Sequence, residues 1–243
     1  MIKYTALTHI GNYKTNNEDY FYCAKSNDEN LLYIVCDGVG GYPGGEIASK
    51  FVVEYILKNF DKVKYAIKDP LECLKEITIR ANQALILEQQ HQISFNKMGT
   101  TIAMALIISK KMYFVSVGDS RIYQVRTELK QLTADHNLLW DKYLKGLLTK
   151  EEMRVHPENN IITSMLGRSK IKIDSGKTDL KDKDKILLCS DGLTDMIPES
   201  EIKDIFDNAK DVEKLGLKLL DTALENGGKD NITMVILSYE ISK

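Results

Sequence analysis

The 243-residue sequence contains no apolar run of membrane-spanning length, and its start lacks the basic segment, apolar stretch and small-residue cleavage site of a secretory signal. Export and membrane insertion are therefore not expected. No basic stripe is present either. The formal net charge of −2 arises from interleaved acids and bases, which argues against nucleic acid or an anionic membrane as a partner. The four cysteines, Cys23, Cys36, Cys73 and Cys189, form no C-x-x-C pair and mostly sit in apolar runs. That is the pattern of buried free thiols in a cytoplasmic protein.

Familiar catalytic signatures are missing too. Gly40 and Gly45 have Walker A spacing, but Glu46 and Ile47 follow where Lys and Ser or Thr would be needed. No loop carries the alternating acids of an EF-hand. None of the cysteines has an arginine at the sixth position after it, and no G-x-S-x-G elbow occurs. His9, His91, His136 and His156 are scattered, so a serine nucleophile with a distant histidine stays open on this ground alone.

What is present is an ordinary globular composition, 43% hydrophobic and 28% charged, in a length that one all-β or mixed core can fill. Runs rich in β-branched and aromatic residues recur: "IKYTALTH", "YFYCAK", "LLYIVC", "TTIAMALIIS", "MYFVSVG", "RIYQVR", "KIKIDSG", "KILLCS" and "ITMVILSYE". Turn-sized gaps such as Lys110-Lys111 predict antiparallel hairpins. Apolar stripes at helical spacing lie after the glycines (Ala48, Phe51, Val52, Tyr55, Ile56), from Leu71 to Leu87, in "PESEIKDIFDNA", and from Val212 to Leu224 before Gly227. Each is one-sided, so these helices should cover sheet faces. The expected fold is α+β, a central antiparallel β-sandwich flanked by helix pairs in α-β-β-α layers, as a single domain spanning residues 1–243. Residues from about 136 to 166 break the pattern with two short helical segments, the second capped by Thr149 with Glu152 three residues on. They read as an excursion from the core.

The chemistry collects at strand ends. Asp37, Asp119 and Asp191 follow apolar strands, whereas Asp19 and Asp230 precede them. In an antiparallel sheet such positions fall along one edge, so all five carboxylates can meet at one end of the sandwich. Bare anions at that density must either take up protons or be neutralised by cations. An all-oxygen set without paired Cys or His selects Mg²⁺ or Mn²⁺ over zinc. Five glycines between Gly38 and Gly45 would let the backbone turn sharply and bring the Gly38 carbonyl toward an ion. Asp-Gly alone is a common turn dipeptide. Two strand-ending Asp-Gly pairs together with "GDSR" and "DNIT" are more than turns require.

In order and spacing, "GNYKTNNED", "VCDGVGGYPGGEIAS", "GTT", "VGDSRIY", "LTADHNLL", "HPENNIITSMLG", "LLCSDGL" and "DNITMV" resemble the motifs of the metal-dependent type 2C serine/threonine protein phosphatases in their short bacterial form. The likeness covers essentially the whole chain. It implies hydrolysis of phosphoserine and phosphothreonine in proteins by a hydroxide bridging two Mn²⁺ or Mg²⁺ ions, with a weaker third ion. Asp37 would bridge the pair, Asp191 and Asp230 would hold one ion and the Gly38 carbonyl the other. Glu18 and Asp19 would act mainly through water, and Asp119 would hold the third. The 136–166 excursion matches the family's flap beside the site. The implied partners are phosphorylated proteins, including a cytoplasmic Ser/Thr kinase, and the chain is expected to act as a monomer.

Two departures stand out. Lys14 occupies the place where the family commonly has arginine, a point charge instead of a bidentate fork. Tyr42 stands where bacterial relatives often have histidine, and Val39 where some eukaryotic members place a histidine proposed as the general acid. The Lys14 change leaves a second reading open: a phosphoprotein-binding regulatory module of the same fold with weak turnover.

Overall fold

The computed structural model describes residues 2–25, 31–39, 44–91, 97–209 and 211–240. Gly40, Gly41 and Tyr42 lie outside the described residues. Two five-stranded antiparallel sheets face one another. The first has the order β1 (Ile2–His9), β10 (Ile232–Tyr239), β9 (Lys185–Cys189), β6 (Arg121–Val125), β7 (Leu129–Gln131). The second runs β2 (Asp19–Cys23), β3 (Leu31–Asp37), β4 (Ile102–Ile108), β5 (Lys111–Val117), β8 (Asp174–Asp179).

Alternation along the strands explains the layering, because successive side chains point to opposite faces. In β3, Tyr33 and Val35 join Ala103, Ala105, Val235 and Leu237 between the sheets, while Leu32, Ile34 and Cys36 turn outward onto helices. Helices α1 (Gly45–Ala66) and α2 (Pro70–His91) bury Val52, Ile56, Leu74 and Ile77 on that side. On the opposite side α6 (Glu199–Asn208) and α7 (Val212–Glu225) cover the first sheet with Ile202, Phe206, Leu215 and Leu219. The α-β-β-α order is thus realised. All four cysteines are free, three of them buried. Among the described residues no helix is long and apolar enough to cross a membrane.

Three local differences from the sequence reading have physical causes. The alternating "KIKIDSG" forms a strand only from Asp174 onward, where Asp174–Asp179 pairs with Ser116–Lys111. Ile171 and Ile173 instead pack from outside the strand against the α1–α2 core. The three residues of β7 are too short and polar to carry a period. After β9, the Asp-Gly pair does not simply turn: it opens a one-turn helix α5 (Asp191–Thr194) with Ser190 as its N-cap residue.

Between β7 and β8 lie α3 (Trp140–Leu144) and α4 (Lys150–Arg154). The expected capping box is formed, with Thr149 Oγ1 accepting from Glu152 N and the Glu152 carboxylate accepting from Thr149 N. Leu139, Trp140 and Met153 make a small core of their own, apart from the three large ones.

Candidate metal centre

Strand pairing brings the five aspartates to one end. Asp19 is paired directly across from Asp37. The start of β4 lies beside the end of β5, Ile102 opposite Val117, which leads to Asp119. In the other sheet Cys189 is opposite Met234 and Arg121, placing Asp191 next to the turn that holds Asp230. Lys14, Asp37, Gly38, Val39, Asp191 and Asp230, with Asn160 and Ile162 from the excursion, line a cleft of about 240 Å³. A larger hollow of about 540 Å³ between α6 and α7 contains none of these five aspartates.

The backbone around Asp37 is pinned from both sides. Its N–H donates to Thr101 Oγ1 at 3.0 Å, and its carbonyl accepts from Thr101 N and Thr100 Oγ1, each at 2.8 Å. These bonds account for "GTT". Gly38 N donates to Glu18 O at 3.0 Å. A Cβ on Gly38 would come within 2.4 Å of the Gly45 carbonyl, and one on Gly45 within 2.7 Å of Glu18 Oε1. Two glycines are therefore required by close passage of chain, not by turn geometry alone.

The "DN" of "DNIT" has a comparable explanation. Asn231 Nδ2 donates to the Ile10 and Asn16 carbonyls, each at 2.9 Å, and its Oδ1 accepts from Glu18 N at 2.8 Å. One side chain thereby ties the Lys14 loop and the start of β2 to the start of β10. Gly192 lies close to the same turn, since a Cβ there would fall 2.0 Å from Asn231 O.

The carboxylates are electrostatically strained. Burial pushes Asp19 up to about 7, offset in part by hydrogen bonds from Thr233 and Ser190, with Asp191 and Asp230 adding repulsion. The Ser190 bond is 2.8 Å to Asp19 Oδ2. Burial, then Asp19 and Asp191, hold Asp37 well above the usual carboxylate range. Asp119 is raised by burial and Asp191, and Asp191 is pushed to about 6 by burial and Asp230. Glu18 is also raised, chiefly by burial.

Three carboxylate oxygens, Asp19 Oδ1, Asp119 Oδ1 and Asp191 Oδ1, are buried without a protein hydrogen-bond partner. Anionic oxygens left this way are costly unless a cation or water meets them. They fit hard divalent ions. Among the described residues no three Asp, Glu, His or Cys side chains close around a single point; Asp37, Asp191 and Asp230 line the cleft, Asp119 lines an inner recess that shares Asp191 with it, and Asp19 sits behind Asp37 as its cross-strand partner.

Lys14 is the cation on the cleft side of these carboxylates among the described residues, with Arg121 on the side of the inner recess. Its Nζ lies 2.7 Å from Asp230 Oδ1. Burial alone would lower its pKa, but the Asp230 hydrogen bond and the charges of Asp230, Glu18 and Asp37 raise it on balance.

Sequence reasoning missed Asp195, four residues after Asp191. Burial and the Asp191 charge push it to about 8, and with Asp119, Arg121 and Asp191 it lines a small inner recess. The helical i, i+4 spacing was the available signal, hidden by reading Asp191-Gly192 as a turn. Also missed was the buried fork of Arg121 onto Asp135, whose shortest contact is 2.7 Å.

The model of the protein phosphatase 2C family matches residues 8–230. The chain is 35% identical over 240 residues to the protein phosphatase PhpP of Streptococcus pneumoniae, covering 96% of this chain and 95% of that one. The crystal structure of serine/threonine phosphatase Stp1 from Staphylococcus aureus superposes with a TM-score of 0.91 at 31% identity, covering 99% and 96% of the two chains. The catalytic domain of the serine/threonine protein phosphatase PstP in complex with two manganese ions gives a TM-score of 0.86 at 28% identity, with 99% of each chain covered.

Proposed function

We propose, from the premise that this chain belongs to the protein phosphatase 2C family, that the cleft between Lys14 and the strand-end aspartates is where phosphate is removed from its substrates. The chain is a metal-dependent protein serine/threonine phosphatase. The observation that carries the assignment of the site is the set of partnerless buried oxygens on Asp19, Asp119 and Asp191 at one end of the sandwich.

When bound there, divalent ions supply Lewis-acid polarisation of the phosphoryl group and activation of water. The chain's own residues hold and orient. Asp37 would touch both ions of a tight pair, with Asp191 and Asp230 on one and the Gly38 carbonyl on the other. Glu18 and Asp19 would act through water, and Asp119 would hold a weaker third ion. Ser190 keeps Asp19 oriented by donating to its Oδ2, and Thr100 and Thr101 fix Asp37. The whole chain would serve as one catalytic domain, with 136–166 as a flap. A monomer acting on phosphoproteins in the cytoplasm, a Ser/Thr kinase among them, is the reading carried over from the family likeness, and four free cysteines suit a reducing compartment.

Lys14 now holds Asp230. With Asp230 engaged in holding a metal, the Lys14 ammonium would be free to meet a substrate phosphate placed in the cleft that both residues line. Lys14→Ala is therefore expected to raise KM for a phosphopeptide by roughly 10-fold, on the order of 1 to 2 kcal/mol, and Lys14→Arg to lower it through a two-pronged contact. Turnover should change less, because the ions stabilise most of the transition-state charge. Steady-state kinetics on one phosphothreonine peptide checks this. Equal KM for wild type and both variants would remove Lys14 from phosphate recognition.

A further inference from the structure

We propose that Glu199 and Lys150 are a positioning pair that holds the 136–166 segment against the sandwich and so sets how well a phosphoprotein, as opposed to a small phosphate ester, is bound. The proposal rests on the cleft being the dephosphorylating site.

The segment needs such a tether. Its α4 is a five-residue helix, far below the length at which a helix is stable alone. Its apolar residues Leu139, Trp140 and Met153 form a separate cluster and add nothing to the three large cores. Polar contacts at the two ends of α4 must fix where it sits. At the far end, Arg154 Nη1 donates to the Asp195 carbonyl at 2.7 Å, and Asn159 Nδ2 donates to Asp195 Oδ2 at 3.0 Å.

The near end is Lys150. Its Nζ donates to Glu199 Oε1 and to Gln131 Oε1, each at 2.7 Å. Glu199 Oε1 also accepts from Tyr123 Oη at 3.0 Å, and Tyr123 Oη accepts from Arg121 Nη1 at 3.1 Å. Arg121 is locked by its fork onto Asp135. These bonds end on β6, an inner strand paired on both sides with β9 and β7, so Glu199 is a rigid anchor. Side-chain exposures of 30% for Lys150 and 28% for Glu199 leave the pair half-desolvated, where an ion pair counts for more than at an open surface.

The consequence reaches the substrate. Val155, His156, Asn159 and Asn160, just beyond α4, line a hollow of about 350 Å³ that shares Asn160 and Asp230 with the catalytic cleft. Residues flanking a phosphorylated side chain would pass over that wall. A compact ester such as p-nitrophenyl phosphate would not. Loosening the pair should therefore weaken binding of the first kind of substrate and spare the second.

The test compares wild type, Glu199→Ala, Glu199→Gln, Lys150→Met and the Glu199→Ala/Lys150→Met double variant. It measures kinetics with Mn²⁺ on a phosphothreonine peptide and on p-nitrophenyl phosphate, and hydrogen exchange at the amides of Met153, Val155 and His156. Glu199→Ala and Lys150→Met are expected to raise KM for the peptide about three- to tenfold, within what half-buried charged hydrogen bonds contribute. Both constants for the ester should stay within about twofold, since neither substitution touches Lys14 or the aspartates of the cleft, and the segment contributes only Asn160 and Ile162 to its wall. The three amides should exchange faster, and the double variant should be no worse than the worse single one, because the two residues act as a unit. Glu199→Gln, which keeps the hydrogen bonds without the charge, should fall between. Unchanged amide exchange, or equal losses on both substrates, would overturn the proposal. If wild type turned over neither substrate, the assignment of the cleft would fail, and the exchange comparison alone would decide whether the pair holds the segment.

Discussion

Asp37→Asn is expected to lower turnover at least about a thousandfold, ~4 kcal/mol of transition-state stabilisation, while the protein remains folded. Asp37 ends β3 directly opposite Asp19 and receives the repulsion of Asp19, Asp191, Asp119 and Asp230. No other of the five carboxylates is pushed upward by so many of its neighbours among the causes that shift it. Replacing one oxygen with an amide removes the charge that would hold a cation pair, yet leaves the backbone bonds to Thr100 and Thr101 untouched. The variant should still unfold cooperatively, and in chelator at high pH it should be somewhat more stable than wild type, because a buried carboxyl that resists ionising among its acidic neighbours is gone. Retention of more than about a tenth of wild-type turnover, under ~1.4 kcal/mol, would show that Asp37 does not hold the reacting centre together.

A reversal of the usual pH dependence is the second large effect. With chelator present, the carboxyls of Asp19, Asp191 and Asp195 have folded-state pKa values of about 7, about 6 and about 8 against an ordinary 3.8. The folded protein therefore holds these protons more tightly than the unfolded chain does. The resulting stabilisation is full below the unfolded value and is lost as pH rises from about 4 through about 8. Between pH 5.5 and 8.5 the chelated protein should lose stability on the order of several kcal/mol, a fall in Tm of roughly 10 °C or more for a chain this long. Added Mn²⁺ competes with those protons, so its stabilising effect should be larger at pH 8.5 than at pH 5.5. Calorimetric scans at the two pH values, with chelator and with Mn²⁺, measure both. A chelated Tm that is flat or rises with pH would mean that the aspartates are not the source of strain.

Much of this site was readable before any fold was known, for a physical reason. Apolar strands that end or begin in aspartate carry their own geometry, since antiparallel pairing sends alternate strand ends to one edge. Asp19 opposite Asp37 is that rule made concrete. The helix stripes were equally plain, because Val52, Ile56, Leu215 and Leu219 must face something apolar. What could not be read depends on contacts between distant segments. Asp195 gains its character from a one-turn helix whose N-cap residue, Ser190, is held by Thr233 and Asp19. The Lys150–Glu199 contact joins two helices directly, with a tyrosine of a third element donating to the same carboxylate, and no local pattern encodes it. The polar strand β8 is recruited by β5 as a pairing partner, while the apolar Ile171 and Ile173 that mimicked a strand are drawn to the helix layer.

The most direct test of the account is the release of orthophosphate from a phosphothreonine peptide by the metal-stripped protein, before and after addition of Mn²⁺. Partnerless oxygens on Asp19, Asp119 and Asp191 are the places where a cation would replace protons or water. The account therefore predicts turnover with Mn²⁺, loss to background in chelator, and recovery when excess Mn²⁺ or Mg²⁺ is restored. Undiminished hydrolysis by the thoroughly stripped protein would contradict it.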